Sequence, residues 1–241
     1  LHLAALSETA SLPTHDSIAL AEAYATDGWR ADWSAMSSIA AAPRELDRIA
    51  VSSALKAIYL PWLDEGAVAF QELVRGGKVK FAQAAPTSSE VTTLLFVDGL
   101  RMDVAHQLIQ VLLRDGLEAE LGWVWSGYPT VTATCKPLVM PVAESLTGPD
   151  STYDVLPVTP DEKPATKQNL FKLMRAYGWE TDNALLSDSR LWTETGRFDE
   201  EGHALGARLA ERLAAGVRDA ADVVQRLVKS GRNVRIITDH G

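Results

Sequence analysis

The 241 residues suffice for one large domain or a core with a smaller appendage, and no internal repeat divides them. With 46% hydrophobic and 23% charged residues, the chain can build a sizeable core, which excludes disorder over most of its length. Its 23 Lys and Arg against 32 Asp and Glu leave a net charge of −9, so the surface as a whole does not attract nucleic acid, and any phosphate must be met locally.

From about Ser17 to Gly76 the chain reads as helical. Ala19, Leu20, Ala23 and the stretch Leu46 to Leu73 fall at helical spacing, Pro43 is placed for a helix start and Gly76-Gly77 for a stop. Residues 1–78 are therefore expected to form a helical N-terminal region, with Trp29, Trp33 and Trp62 as packing residues, and residues 79–241 to form the core domain. Val79-Lys80-Phe81 suits a short strand, and the apolar run Thr92 to Val97 suits a buried parallel strand. Leu100 to Leu113 carries Leu100, Val104, Leu108, Val111 and Leu112 on one helical stripe, closed by Gly116 at a C-cap position. Alternation from Leu117 to Trp125 predicts a further strand, so that strand, helix and strand make a crossover unit of an α/β sheet. Gly148 to Lys167, with four prolines, reads as a long loop, and Asn169 to Tyr177 as a helix. The longest helix is expected from about His203 to Lys229, ending at Ser230-Gly231, and Val234 to Thr238 as another buried strand.

Cys135 stands alone and cannot form an intrachain disulfide, which favours a reducing compartment; no apolar run reaches the roughly 18 residues of a membrane span, and the start carries no secretory signal. The expected localisation is cytoplasmic. The absence of an initiator Met and the stop at Thr238-Asp239-His240-Gly241, where a strand should hand over to a loop, predict a chain cut at both ends.

In α/β sheets, ligands gather beyond the carboxyl ends of strands. Asp98 follows the first apolar run, Asp239 and His240 follow the last, and Tyr128 to Thr134 follows the Leu117 to Trp125 stretch. Asp98 serves equally well as an N-cap for the next helix. Asp239 and His240 pair a hard carboxylate with a borderline imidazole, a donor set suited to zinc. Asp199 and His203, four apart at a helix start, can face one ion, or can be a cap and a solvated first-turn residue. His2, His15 and His106 lack a comparable partner, and His106 is expected on the polar face of its helix. Thr130, Thr132 and Thr134 are either turn and cap residues or the source of a hydroxyl activated beside a cation.

The order Val97-Asp98-Gly99-Leu100-Arg101, Pro129-Thr130-Val131-Thr132-Ala133-Thr134, Asp199 with Gly202-His203, and Thr238-Asp239-His240-Gly241 resembles the alkaline phosphatase superfamily near its nucleotide pyrophosphatase/phosphodiesterase branch. More narrowly, Phe96 to Val104, Pro129 to Pro137 and the closing Thr-Asp-His-Gly resemble the PglZ domain of bacteriophage exclusion (BREX) defence systems. Tyr59-Leu60-Pro61-Trp62-Leu63 is consistent with the region preceding that domain. The resemblance covers residues 60–241 and implies an alkaline-phosphatase-like, mostly parallel central sheet flanked by helices, preceded by a helical segment and truncated at its C-terminus.

The resemblance also implies two divalent metals, with zinc the expected ion. Asp98, Thr132, Asp239 and His240 would hold one. Asp199, His203 and a histidine that the family places downstream would hold the other, so the second site lacks a ligand here. Thr132, the second Thr of a Pro-Thr-x-Thr segment, is the implied nucleophile, with Thr130 as runner-up. Its attack on phosphorus would give a phosphothreonine that water resolves. Arg101 and Lys136 are placed to hold a phosphate, although Arg101 is equally placed to pair with Asp98 or Asp103. Two functions follow from the resemblance. One is a metal-dependent phosphodiesterase or nuclease of a phage-defence complex, acting on DNA or a nucleotide phosphodiester. The other is an assembly subunit that contacts a DNA methyltransferase and other BREX components. A sulfatase is disfavoured because Cys135 lacks the Cys/Ser-x-Pro-x-Arg context.

Overall fold

The computed structural model describes residues 2–79, 93–127, 129–148, 155–181 and 189–239. In chain order these form α1 (His2–Ser7), α2 (Ser17–Ala23), a π-type segment (Tyr24–Gly28), α3 (Trp29–Ala40), α4 (Glu45–Arg75), β1 (Thr93–Val97), α5 (Met102–Arg114) and α6 (Thr132–Val139). A 3-10 turn (Ala143–Ser145), α7 (Lys167–Ala176), β2 (Trp179–Glu180), β3 (Arg190–Thr195), α8 (Phe198–Leu205), a 3-10 segment (Gly206–Glu211), α9 (Leu213–Lys229) and β4 (Val234–Ile237) follow. The chain separates into two compact units. One contains residues 1–80, 102–123 and 200–215, and the other residues 81–101, 124–199 and 216–241.

The first unit is helical. Leu6, Ala31, Ala35 and Leu55 make its buried centre, with Leu3, Ile39, Val51, Tyr59 and Trp62 packed around them. Asp32 accepts hydrogen bonds from the hydroxyls of both Tyr24 and Tyr59, which ties α3 to the π-type segment and to α4. His106 departs from the sequence expectation of a polar-face residue. It is half-buried, its ring stacks on Trp29 with centroids 4.0 Å apart, and its Nε2 lies 2.9 Å from the carbonyl of Ala25. Burial is the main reason its pKa lies below the ordinary value.

The second unit holds a four-stranded, all-parallel sheet in the order β2-β3-β1-β4, flanked by helices. Every residue of β1 is buried, as a central parallel strand with both faces covered requires, and this explains the unbroken apolar run read from the sequence. Leu94 and Phe96 of β1 and Trp192 of β3 share one core with Val139 at the end of α6, with Met140 just after it, and with Leu170 and Met174 of α7. The Phe96 and Trp192 rings lie 5.7 Å apart, in stacking range.

Three sequence expectations are corrected here. Leu117 to Trp125 forms no sheet pairing; the alternation is present, but among the described residues no neighbouring strand meets it, and strand preference depends on such a neighbour. The expected helix from His203 to Lys229 is interrupted by the 3-10 segment, which begins at Gly206 with φ +55°, and the longest helix is α4. β4 is only partly buried, because it is an edge strand of the described sheet. Lys80, Phe81 and Thr92 lie outside the described residues, and Val79 is not part of a strand.

Candidate active site at the strand carboxyl ends

Parallel pairing brings separated carboxylates to one end of the sheet. Phe96 of β1 is in register with Ile237 of β4, and each is followed two residues later by an aspartate, Asp98 and Asp239. Val97 is likewise in register with Thr195 of β3, which leads through Gly196 and Arg197 to Asp199, the second residue of α8. Asp239 is 0% exposed and Asp98 is half-buried.

The turn after β1 is fitted against the start of α8. Gly99 has φ +69°, and a Cβ placed on it would lie 2.7 Å from the backbone nitrogen of Asp199. A residue without a side chain is needed here on both counts. The backbone N–H of Arg101 donates to the Gly99 carbonyl at 2.9 Å and completes the turn. The Arg101 side chain is half-buried, and Asp103, which the sequence offered as its partner, is 0% exposed.

The threonines separate into distinct roles. Thr130 is exposed. Thr132 is half-buried at the first position of α6, after Val131 in extended conformation. Thr134 is buried and its Oγ1 donates to the Val155 carbonyl at 2.8 Å, a structural bond. Cys135, also buried, directs its Sγ at the carbonyls of Gly127 and Pro129, at 3.5 and 3.6 Å.

Ser126 links this segment to the sheet, since its Oγ donates to the backbone carbonyl of Asp239 at 2.8 Å. Gly127 then packs on α6 so closely that a Cβ would stand 2.4 Å from Cδ1 of Leu138. The polypeptide before Thr132 is thus held both to the end of β4 and to the body of α6. Ser126→Ala is expected to cost about 1 kcal/mol, the usual worth of one such bond, read as a lower urea midpoint at unchanged slope.

Lys136 is fixed from two sides. Its Nζ lies 3.2 Å from Glu194 Oε1 and 4.1 Å from the centroid of the Phe96 ring. Lys167 reaches the other oxygen of Glu194 at 2.9 Å, and the Trp192 indole N–H donates to Oε1 at 3.2 Å. Sequence reasoning missed Glu194; the available signal was the β-forming run Arg190-Leu191-Trp192-Thr193-Glu194-Thr195 that makes β3. Burial by itself would raise the Glu194 carboxyl, but the Lys167 hydrogen bond, the Lys136 charge and the indole together hold it below its ordinary value of 4.5.

A depressed carboxylate contributes stability that is fully present above the unfolded pKa and lost as pH falls through the folded one. Wild-type stability is therefore expected to fall more steeply than that of Glu194→Gln as the pH drops below about 5, measured as urea midpoints across that range.

His203 is exposed, and His240 lies outside the described residues. Among the described residues, no three His, Cys, Asp or Glu side chains gather into a group that could hold a metal. Of the candidate ligands, Asp98 and Asp239 carry hard oxygen donors that suit a divalent cation in kind, and the Thr132 hydroxyl is a neutral oxygen donor. No helix among the described residues is long and apolar enough to cross a membrane. No protein-family model matches the chain, and no curated protein and no solved structure matches it either.

Proposed function

We propose that this chain is a metal-dependent phosphoric-ester hydrolase of phosphodiesterase or nuclease type, related to the PglZ domain and acting in the cytoplasm as part of a bacterial phage-defence system. The observation that carries this reading is the register of β1 and β4. Asp98 and Asp239 each follow by two residues the registered pair Phe96 and Ile237 at the strand carboxyl ends, and Ser126, six residues before Thr132, bonds the backbone carbonyl of Asp239. Asp98, Thr132, Asp239 and His240 would hold the first cation, zinc by the pairing of Asp239 with His240. Asp199 and His203 remain the ligands proposed for a second.

When bound, the cation supplies positive charge to offset the phosphoryl oxygens and eases loss of the Thr132 proton. Thr132 Oγ1 would form the bond to phosphorus while the ester P–O bond breaks, and the proton given up by Thr132 would end on the departing oxygen, which leaves as an alcohol or phenol. Water opens the resulting phosphothreonine, which restores the hydroxyl and releases phosphate monoester. Local donors explain how a chain of net charge −9 handles an anionic ester.

The test is zinc content measured together with hydrolysis of bis(p-nitrophenyl) phosphate. Turnover that rises with bound zinc above the rate of free zinc supports the enzyme. Zinc bound without turnover supports the assembly subunit that contacts a DNA methyltransferase.

A further inference from the structure

Glu194 gathers three donors on one carboxylate: the Lys136 ammonium at 3.2 Å, the Lys167 ammonium at 2.9 Å and the Trp192 indole N–H at 3.2 Å. Two cations and one anion leave an excess of positive charge. The side chain of Lys136 is 18% exposed and that of Lys167 is 64% exposed, so Lys136 is held within the fold while Lys167 faces water.

Lys136 follows Thr132 by four residues on α6, which puts both on one helix face. Helical side chains lean toward the N-terminus, so the Lys136 stem crosses the turn that carries Thr132. Its Nζ rests 4.1 Å from the centre of the Phe96 ring, and Phe96 precedes Asp98 by two residues, about 7 Å along a strand. An ammonium has three N–H donors, and one carboxylate oxygen leaves capacity for another anion.

We infer that Glu194 is a positioning residue: with Lys167 at its second oxygen, it holds the Lys136 ammonium on the Thr132 face of α6, where Lys136 meets a phosphoryl oxygen of the substrate. This rests on the reading of Thr132 as nucleophile and adds to it the device that keeps a flexible cation in place. A lysine stem has four rotatable bonds and a strongly hydrated head. Without the carboxylate, the two ammoniums repel each other and Lys136 turns toward water.

The test is calorimetric titration of inorganic phosphate into the protein without added metal, so that affinity is read apart from turnover. Wild type is expected to bind most tightly, Glu194→Asp about threefold more weakly, and Glu194→Gln and Lys136→Met about tenfold or more weakly. In turnover of bis(p-nitrophenyl) phosphate, Glu194→Gln should raise KM more than it lowers kcat, and Glu194→Asp should recover most of the loss.

Equal or tighter phosphate binding by Glu194→Gln overturns the inference, because the carboxylate would then only compete with the anion. Wild-type affinity in Lys136→Met, or no phosphate binding by wild type in the millimolar range, also overturns it. Should Glu194→Gln not fold, Glu194→Asp decides, since it keeps the charge and changes only the reach; wild-type affinity there is contrary to the inference. Thr132→Ala separates the two claims. Retained turnover in that variant breaks the nucleophile reading alone, whereas unchanged phosphate affinity in Glu194→Gln breaks the positioning role alone.

Discussion

Thr132→Ala is expected to lower hydrolysis of bis(p-nitrophenyl) phosphate by about a thousandfold or more, roughly 4 kcal/mol of transition-state stabilisation, while leaving the fold intact. The substitution deletes the oxygen that would bond to phosphorus together with the methyl beside it, and leaves the backbone unchanged. Alanine is the best helix former, and Thr132 occupies the first turn of α6, where backbone N–H groups have no intrahelical partner to lose. Thr134→Ala offers the contrast. Its hydroxyl bonds the Val155 carbonyl, so its loss should cost about 1 kcal/mol of stability, with a far smaller effect on rate. Initial rates paired with urea midpoints for both variants check this. Undiminished turnover in Thr132→Ala would move the nucleophile elsewhere, with exposed Thr130 next to be tested.

Gly99→Ala carries the largest expected structural effect. The left-handed backbone at φ +69° disfavours any side chain by about 1 kcal/mol, and the added Cβ would sit 2.7 Å from the Asp199 nitrogen and 3.1 Å from its Cα. Those atoms are backbone and cannot turn aside, so either the turn after β1 or the start of α8 must shift. A total cost of about 2–4 kcal/mol is expected, as a lower denaturation midpoint, together with loss of activity as the neighbouring Asp98 is displaced. Wild-type stability in this variant would show that the turn and α8 are not in close contact.

The sequence made some of this legible for identifiable reasons. β1 was readable because a strand covered on both faces needs an unbroken apolar run, and the aspartates could be located because ligands collect beyond such strands. β3 escaped notice since Arg190, Thr193 and Glu194 interrupt its apolar residues. Glu194 acquires meaning only through Lys136 of α6 and Lys167 of α7, contacts that no local pattern encodes. Leu117 to Trp125 shows the opposite error, since alternation states a capacity to pair and the described residues supply no partner strand. The sequence places His106 on the polar face of its helix because helical periodicity says nothing of a tryptophan far away in the chain that stacks on it.

The proposed function turns on Asp98 and Asp239, each two residues past the paired ends of β1 and β4, being ligands of one cation. Zinc titration of the wild-type protein beside Asp98→Asn and Asp239→Asn tests it most directly. One tightly bound equivalent in wild type, weakened tenfold or more in each variant with folding retained, is the expected result. Zinc affinity unchanged by either substitution would contradict it.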